Sequence, residues 1–285
     1  MATTSMKTSD YSIIVMSCDP YADIWPYFAQ CWDRFWPDCP FETFLISEQK
    51  EFNHPSIGNI RIGRPVGWSE MLLTVLEKVK TPYIIYLQED YLLKGPTNME
   101  RLIKLLSFFK ENQAGYLRLL PWPKPQASIS TSTEAIKLGS EEAYRTSLQA
   151  AVWDVKTLNK LLIKEESGWD FETKGNERSK NLEKDFYSVT FEGDFRTLND
   201  YHHTIDYYAT GVLRGKWMNS AIKYFRSLGI TINPGKRGVL SRWDYWYYSK
   251  YSRLNKKPAA PIIWLNNRFF KGEFFNRVNN LLTRV

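Results

Sequence analysis

The chain has 285 residues, of which 43% are hydrophobic and 15% aromatic. This composition excludes a disordered chain, and the length suits one large α/β domain or two small ones. The net charge of +7 is concentrated in residues 236–285, which hold eleven Lys and Arg against Asp244 and Glu273. The rest of the chain is slightly acidic, so the pattern weighs against a general nucleic-acid binder and indicates a local anionic partner of the C-terminal segment.

Three cysteines, Cys18, Cys31 and Cys39, lie close together in the sequence and lack the paired spacing of a zinc site. The first ten residues are mostly polar, and the first apolar run, 13–16, is too short for a secretory signal. No apolar run approaches the roughly 20 residues of a membrane-spanning helix. We therefore expect reduced thiols in a cytoplasmic protein.

The first ninety residues predict a β-α-β-β-α-β order. The predicted strands are 11–18, 41–46, 59–62 and 83–87, and the predicted helices are 21–36 and 67–80, with Ser69 as the N-cap of the second. Further on, the pattern predicts helices at 98–110, 156–164 and near 182–186, strands at 115–120 and 146–152, and an exposed Pro/Ser-rich loop at 121–132. This alternation is typical of an α/β fold with a mostly parallel central sheet flanked by helices.

Two acids, Glu89 and Asp90, directly follow the apolar strand 83–87. The carboxyl ends of strands form the ligand-binding edge of an open α/β sheet. Ser17-Cys18-Asp19 stands where a dinucleotide fold would carry its glycine-rich loop, and no Walker-type loop occurs. A nucleotide diphosphate at this edge would therefore need a metal ion and basic side chains to neutralise it. The alternative is an acidic surface turn.

In this order of elements the chain resembles the GT-A glycosyltransferases, and most of all bacterial enzymes that build O-antigen or capsule. The resemblance covers residues 11–217. In that fold the strand ends in a D-x-D motif, which here becomes Gln88, Glu89 and Asp90. The resemblance implies Mg²⁺ or Mn²⁺ held by Asp90 and Glu89 with His203 as a late ligand, while Gln88 departs from the motif.

The resemblance also implies roles for other residues. The donor, with a UDP-sugar favoured, would be bound by Asp19, Trp68, Ser69, Glu89, Asp90, Arg214 and Lys216. Trp169 would stack on the acceptor sugar, and Asp170, with Glu172 close behind, would be the catalytic base of an inverting enzyme. Each residue also has a structural interpretation: Asp19 as a turn or cap residue, Trp68 and Ser69 as a helix start, the acids near Trp169 as a helix-opening turn, and the cations as a basic loop.

Domain organisation follows from the same reasoning. Residues 1–258 would form the catalytic domain, with 1–91 as its nucleotide-binding part and 92–258 as its acceptor part. Residues 259–285 would form a basic, aromatic, amphipathic helix that packs on the domain or lies on an anionic membrane surface. The predicted function is sugar transfer to a bacterial surface glycan or lipid-linked acceptor, in the cytoplasm or at the inner face of its membrane. The alternative is a non-catalytic carbohydrate- or lipid-binding protein on a degenerate transferase fold.

Overall fold

The computed structural model describes residues 7–125, 128–130, 135–190 and 199–241. They belong to two compact units that divide between Gly211 and Val212. The predicted boundary at 258 and the predicted amphipathic helix 259–285 lie outside the described residues. All three cysteines are described, and none forms a disulfide bond. Within the described ranges, no helix is long and apolar enough to cross a membrane.

The first half of the first unit follows the predicted order. Strands β1 (Tyr11–Met16), β2 (Glu42–Ser47), β3 (Gly58–Arg61) and β4 (Tyr83–Gln88) alternate with helices α1 (Trp25–Phe35) and α2 (Trp68–Lys78). The four strands lie in the order β3-β2-β1-β4, and every neighbouring pair is parallel. All six residues of β1 are buried, as expected of an interior strand covered by crossover helices.

The second half extends the same sheet with mixed pairing. It contains α3 (Met99–Glu111), β5 (Tyr116–Arg118), β6 (Ser128–Ser130), β7 (Ala135–Leu138), β8 (Ala151–Asp154), α4 (Val155–Leu161) and β9 (Phe186–Val189). The full sheet order is β3-β2-β1-β4-β8-β5-β9-β7-β6, and β8 is antiparallel to both β4 and β5. The carboxyl ends of β1, β2, β4, β5 and β9 therefore share one edge. The predicted α/β fold, with a mostly parallel central sheet flanked by helices, is confirmed.

A helical segment between α4 and β9 borders this edge. It consists of α5 (Gly168–Asp170), a π-helical turn (Phe171–Gly175) and α6 (Asn176–Ser179). Phe171 is fully buried and packs against Trp153 of β8 and Trp68 of α2, with ring centroids 6.0 and 5.3 Å apart. The hydrophobic core thus fixes this segment in place.

Several local predictions were wrong. Residues 128–130 of the predicted loop form β6, and the helix predicted near 182–186 is absent because Phe186 opens β9, whose four residues are all buried. Such aromatic and β-branched residues favour an interior strand. The strand predicted from 146 begins only at Ala151. Gly67, not Ser69, is the N-cap of α2.

The second unit, as far as Ser241, contains a short hairpin and one helix. Strands β10 (Val212–Leu213) and β11 (Lys216–Trp217) form an antiparallel hairpin, and α7 (Asn219–Ser227) follows. Arg214 and Gly215 both have positive φ, 50° and 79°, as a two-residue hairpin turn requires. Trp217 is fully buried. The sequence reasoning missed α7.

Candidate active site

Glu89 and Asp90 lie where the sequence placed them, directly after the last residue of β4. The Glu89 backbone N–H donates to the Met16 carbonyl at 3.2 Å, so β1 and β4 stay paired one residue beyond the strand. Glu89 is 8% exposed and Asp90 is half-buried. Both acids therefore lie at the carboxyl edge of the sheet, beside the end of β1.

Asp19 ties the end of β1 to the end of β2. Its carboxylate accepts backbone N–H groups from Glu48, Gln49 and Lys50, at 3.1 to 3.2 Å. In return, the Asp19 backbone N–H donates to the Glu48 carboxylate. This reciprocal clamp corresponds to the turn-and-cap interpretation of Asp19. Its contact with a nucleotide stays a prediction.

Trp68 and Ser69 open α2 next to this edge. The Trp68 indole Nε1 donates to the buried Tyr86 hydroxyl at 3.3 Å. Burial raises the pKa of Tyr86, and the charges of Glu89 and Glu172 raise it further. Ser69 is fully buried, and its Oγ has no hydrogen-bond partner within the described part of the chain. Trp68 and Ser69 thus each have a structural role at the start of α2. Their predicted contacts with the sugar-nucleotide donor stay predictions.

Glu172 lies in the π-helical turn, a feature that is frequent at functional sites. Its Oε1 accepts the Leu148 backbone N–H at 2.8 Å, and the Ser147 hydroxyl is 3.5 Å away. The Leu148 carbonyl accepts the Tyr91 hydroxyl at 2.6 Å. One peptide segment therefore connects Glu172 to Tyr91, the neighbour of Asp90. Burial raises the pKa of Glu172 above its ordinary value, against the lowering effect of the Leu148 and Ser147 hydrogen bonds.

Asp170 occupies a different environment. It forms a capping box with Ser167 and an ion pair with Lys174 at 2.9 Å. The hydrogen bond from Lys174, followed by those from Ser167, lowers the pKa of Asp170 to about 2. A carboxylate of such low basicity is a poor proton acceptor. On the same segment Trp169 is 76% exposed, which leaves its ring face open to a ligand.

His203 is 7% exposed, and its backbone N–H donates to Asp206 Oδ1 at 3.1 Å. Asp206 is fully buried, and its carboxylate pairs with Lys94 Nζ and His202 Nδ1, each at 2.6 Å. Among the described residues, no group of three or more His, Cys, Asp and Glu side chains is arranged to hold a metal ion. Metal binding by Glu89, Asp90 and His203 stays a prediction.

Arg214 lies in the turn of the β10–β11 hairpin in the second unit, and Lys216 is the first residue of β11. Arg214 is exposed, and Lys216 is half-buried. The hairpin turn explains the neighbouring Gly215, which has positive φ. Diphosphate binding by this pair stays a prediction.

Some residues of the site carried no recognised signal in the sequence. Three buried tyrosine hydroxyls hold the segment that binds Glu172: Tyr116 donates to the Ser147 carbonyl at 2.8 Å, Tyr91 to the Leu148 carbonyl, and Tyr207 accepts the Ala150 N–H at 3.2 Å. The only sequence signal for these tyrosines was the set of aromatic residues around Glu89 and Asp90. The contact of Glu172 with the Leu148 N–H is made by the main chain, so the identity of residue 148 could not predict it.

No protein-family model matches the chain, and no curated protein matches it. Solved structures to which it is similar include S. aureus TarS 1–349 in complex with UDP, at 12% identity and a TM-score of 0.45, and in complex with UDP-GlcNAc, at 13% and 0.43. Both matches cover 90% of this chain and 78% of that one. A cytidylyltransferase from Leptospira borgpetersenii is 11% identical, with a TM-score of 0.40, over 65% of this chain and 78% of that one.

Other TarS matches are shorter. The chain spans 63% of a further TarS 1–349 structure and 38% of a longer TarS structure, in each case through 66% of its own length. The first unit has the α/β arrangement that the sequence predicted, and Glu89 and Asp90 follow β4 at the carboxyl edge of its sheet.

Proposed function

We propose that this protein is a nucleotide-sugar-dependent glycosyltransferase that works with inversion at the anomeric carbon. The observation that carries the proposal is the link between two sets of acids. Glu89 and Asp90 end the strand at the ligand-binding edge, and Glu172 is joined to them through the Leu148 peptide and Tyr91. Glu89 and Asp90, which would face the donor diphosphate, and Glu172, which would face the acceptor, are thus held by one connected set of hydrogen bonds.

In the proposed reaction Glu172 is the general base. Its Oε1 is held by Leu148, while its Oε2 makes no hydrogen bond within the described part of the chain. The acceptor hydroxyl oxygen attacks the anomeric carbon, its proton passes to Glu172, and the bond from carbon to the diphosphate oxygen breaks. The raised pKa of Glu172 suits this role because a more basic carboxylate accepts a proton more readily.

The acceptor side would use Trp169. This exposed ring lies three residues before Glu172 on the same helical segment, so a sugar stacked on it would have its hydroxyls near the base. We propose a bacterial surface glycan or a lipid-linked precursor as the acceptor, at the inner face of the cytoplasmic membrane. Mg²⁺ or Mn²⁺ stays a proposed partner of Asp90, and no step of the reaction above depends on it.

A transfer assay tests the proposal. Purified protein is incubated with nucleoside-diphosphate sugars and a sugar acceptor panel, and release of the nucleoside diphosphate is measured. We expect Glu172→Gln to lower turnover by at least about 100-fold. Asp170→Asn, the matched control on the same segment, should stay within about threefold. Loss of activity in Asp170→Asn with full activity in Glu172→Gln would contradict the assignment of the base.

The second candidate is a non-catalytic carbohydrate-binding protein on this fold. Gln88 favours it, because a neutral amide stands where the resemblance implies an acid, and that amide is bonded to Tyr86 at 3.1 Å. Such a protein would bind a sugar nucleotide or a glycan without releasing a nucleoside diphosphate from any donor. Release above the level of Glu172→Gln would exclude this candidate.

A further inference from the structure

Arg118, the last residue of β5, is a fully buried cation at the carboxyl edge of the sheet. Its Nε donates to the Ser188 hydroxyl at 3.3 Å and its Nη1 to the Tyr144 carbonyl at 3.5 Å, both long for hydrogen bonds. Its Nη2 has no hydrogen-bond partner, and the guanidinium makes no ion pair, among the residues that the structure describes. Because a buried charge without such partners costs stability, its presence at this edge indicates a role other than stabilising the fold.

One short segment, residues 144–148, contacts both Arg118 and Glu172. At its start, the Tyr144 carbonyl accepts the hydrogen bond from Arg118. At its end, the Leu148 backbone N–H donates to Glu172 Oε1 at 2.8 Å. The buried cation and the proposed base are therefore held by the two ends of the same peptide segment.

The pleat of β5 directs Arg118 to the face of the sheet on which Glu172 lies. Tyr116 and Arg118 are two residues apart in this strand, so their side chains point to the same face. The Tyr116 hydroxyl donates to the Ser147 carbonyl at 2.8 Å, and the Ser147 hydroxyl lies 3.5 Å from Glu172 Oε1. The guanidinium and the carboxylate are therefore on one face of the sheet, without a hydrogen bond between them.

The charges of the two groups act on each other. Burial raises the pKa of Glu172, and the positive charge of Arg118 opposes that rise. Burial lowers the pKa of Arg118, and the charges of Glu142, which is also buried, and Glu172 oppose that change. The other titratable groups that act on this pair are buried tyrosine hydroxyls, which stay neutral because burial raises the pKa of each: Tyr86, Tyr91, Tyr116 and Tyr207. Arg118 thus supplies the positive charge that acts on Glu172.

We propose that Arg118 is a positioning residue for the reaction, whose buried positive charge keeps the Glu172 carboxylate ionised until an acceptor hydroxyl reaches it. This inference rests on the proposed function. Without the cation, burial would favour the protonated form of Glu172, which cannot take a proton from the acceptor. Because the guanidinium is not hydrogen-bonded to Glu172, it stabilises the charge without occupying the oxygen that accepts the proton.

The test compares the pH profiles of variants at position 118. Arg118→Met removes the charge at similar size, Arg118→Gln is a second neutral variant, and Arg118→Lys keeps the charge. Arg145→Met is the matched control, because Arg145 is also a buried cation of the first unit, and the acid that acts on it is Asp185. For each protein, kcat/KM for sugar transfer and the free energy of unfolding in urea are measured from about pH 5 to about pH 9.

The kcat/KM of Arg118→Met, relative to that of the wild type, should be at least about tenfold lower at about pH 6 than at about pH 9. Arg118→Gln should behave in the same way, and Arg118→Lys should restore most of the activity at the lower pH. The fall of stability with rising pH should extend to higher pH in Arg118→Met than in the wild type, and Glu172→Gln should remove this difference. Arg145→Met should keep the shape of both wild-type profiles.

A ratio of Arg118→Met to wild-type kcat/KM that is the same at every pH, with equal stability profiles, would overturn the inference while the transfer activity stands. A difference in stability profile that Glu142→Gln removes and Glu172→Gln does not would also overturn it, because Arg118 would then act on Glu142. Absence of turnover by the wild type with every donor would overturn the proposed function, whereas the stability profiles would still test whether Arg118 acts on Glu172.

Discussion

Removal of the Asp19 carboxylate separates the structural interpretation of this residue from the nucleotide-binding one. In the structure, its two oxygens accept the backbone N–H groups of three consecutive residues, Glu48, Gln49 and Lys50. Asp19→Ala would leave these three donors without their acceptor and disconnect the end of β1 from the end of β2.

The expected cost follows from the exposure of each donor. Glu48 is buried, so loss of its charged hydrogen bond costs about 2 kcal/mol. Gln49 and Lys50 are exposed, and water replaces the carboxylate there at a cost of about 0.5 kcal/mol each. We therefore expect the free energy of unfolding to fall by about 3 kcal/mol, which corresponds to a decrease of about 1 M in the urea midpoint.

Urea unfolding followed by tryptophan fluorescence measures this change. Asp38→Ala is the matched control, because Asp38 is an exposed acid before β2 and should lose less than about 0.5 kcal/mol. Asp19→Asn keeps one acceptor oxygen and should fall between the two. If Asp19→Ala were as stable as Asp38→Ala, the clamp would have no energetic role and the reasoning above would be refuted.

Three further predictions concern pH, a buried ion pair and thiol reactivity. Because Glu172 must be deprotonated to act and burial raises its pKa, kcat/KM should rise with pH through a value above that of an ordinary glutamate. Folding stability should fall over the same pH range, because the folded state binds this proton more tightly than the unfolded state, and Glu172→Gln should abolish the fall. A flat stability profile in both proteins would contradict this. Asp206→Asn leaves the buried Lys94 ammonium without its carboxylate, so the free energy of unfolding measured in urea should fall by about 3 to 5 kcal/mol. A fall of less than about 1 kcal/mol would show that this ion pair does not stabilise the fold. Burial raises the thiol pKa of Cys31 to about 12 and that of Cys39 to about 11. Both thiols should therefore resist iodoacetamide at pH 8 in the folded protein and react in urea, as measured by mass spectrometry. Rapid labelling of the folded protein would contradict their burial.

The first half of the first unit was predictable because its signals are local and repeated. Strands such as β4 are uniformly apolar, the intervening helices have one apolar face, and the alternation of the two implies parallel pairing. The position of Glu89 and Asp90 at the carboxyl edge follows from that topology alone.

The second half was less predictable because its strands have only three or four residues. Residues 146–152 resemble one strand, but the ladder begins at Ala151. The residues before it leave the sheet and are held by tyrosine hydroxyls instead, which places the Leu148 N–H against Glu172. Such tertiary contacts override local strand preference.

The choice between Asp170 and Glu172 also depended on contacts that residue type does not reveal. Both acids belong to the same short motif, and both are plausible bases by position. Their partners distinguish them: Lys174 and Ser167 stabilise the charge of Asp170, whereas burial opposes the charge of Glu172. These differences support the proposal of Glu172 as the base in place of Asp170, which the sequence placed first.

Binding of a nucleoside diphosphate at the end of β4 tests the central claim most directly. UDP, GDP and TDP are titrated by calorimetry into wild type and Asp90→Asn, each with Mn²⁺ and with EDTA, and Asp38→Asn is the control. With Mn²⁺ present, we expect one diphosphate to bind the wild type and Asp38→Asn with equal affinity and Asp90→Asn at least tenfold more weakly, because the proposed metal ion would join the Asp90 carboxylate to the diphosphate, whereas the two anions alone repel. Equal affinity in all three proteins, or no binding of any diphosphate to the wild type, would contradict the assignment of this edge as a nucleotide-sugar site.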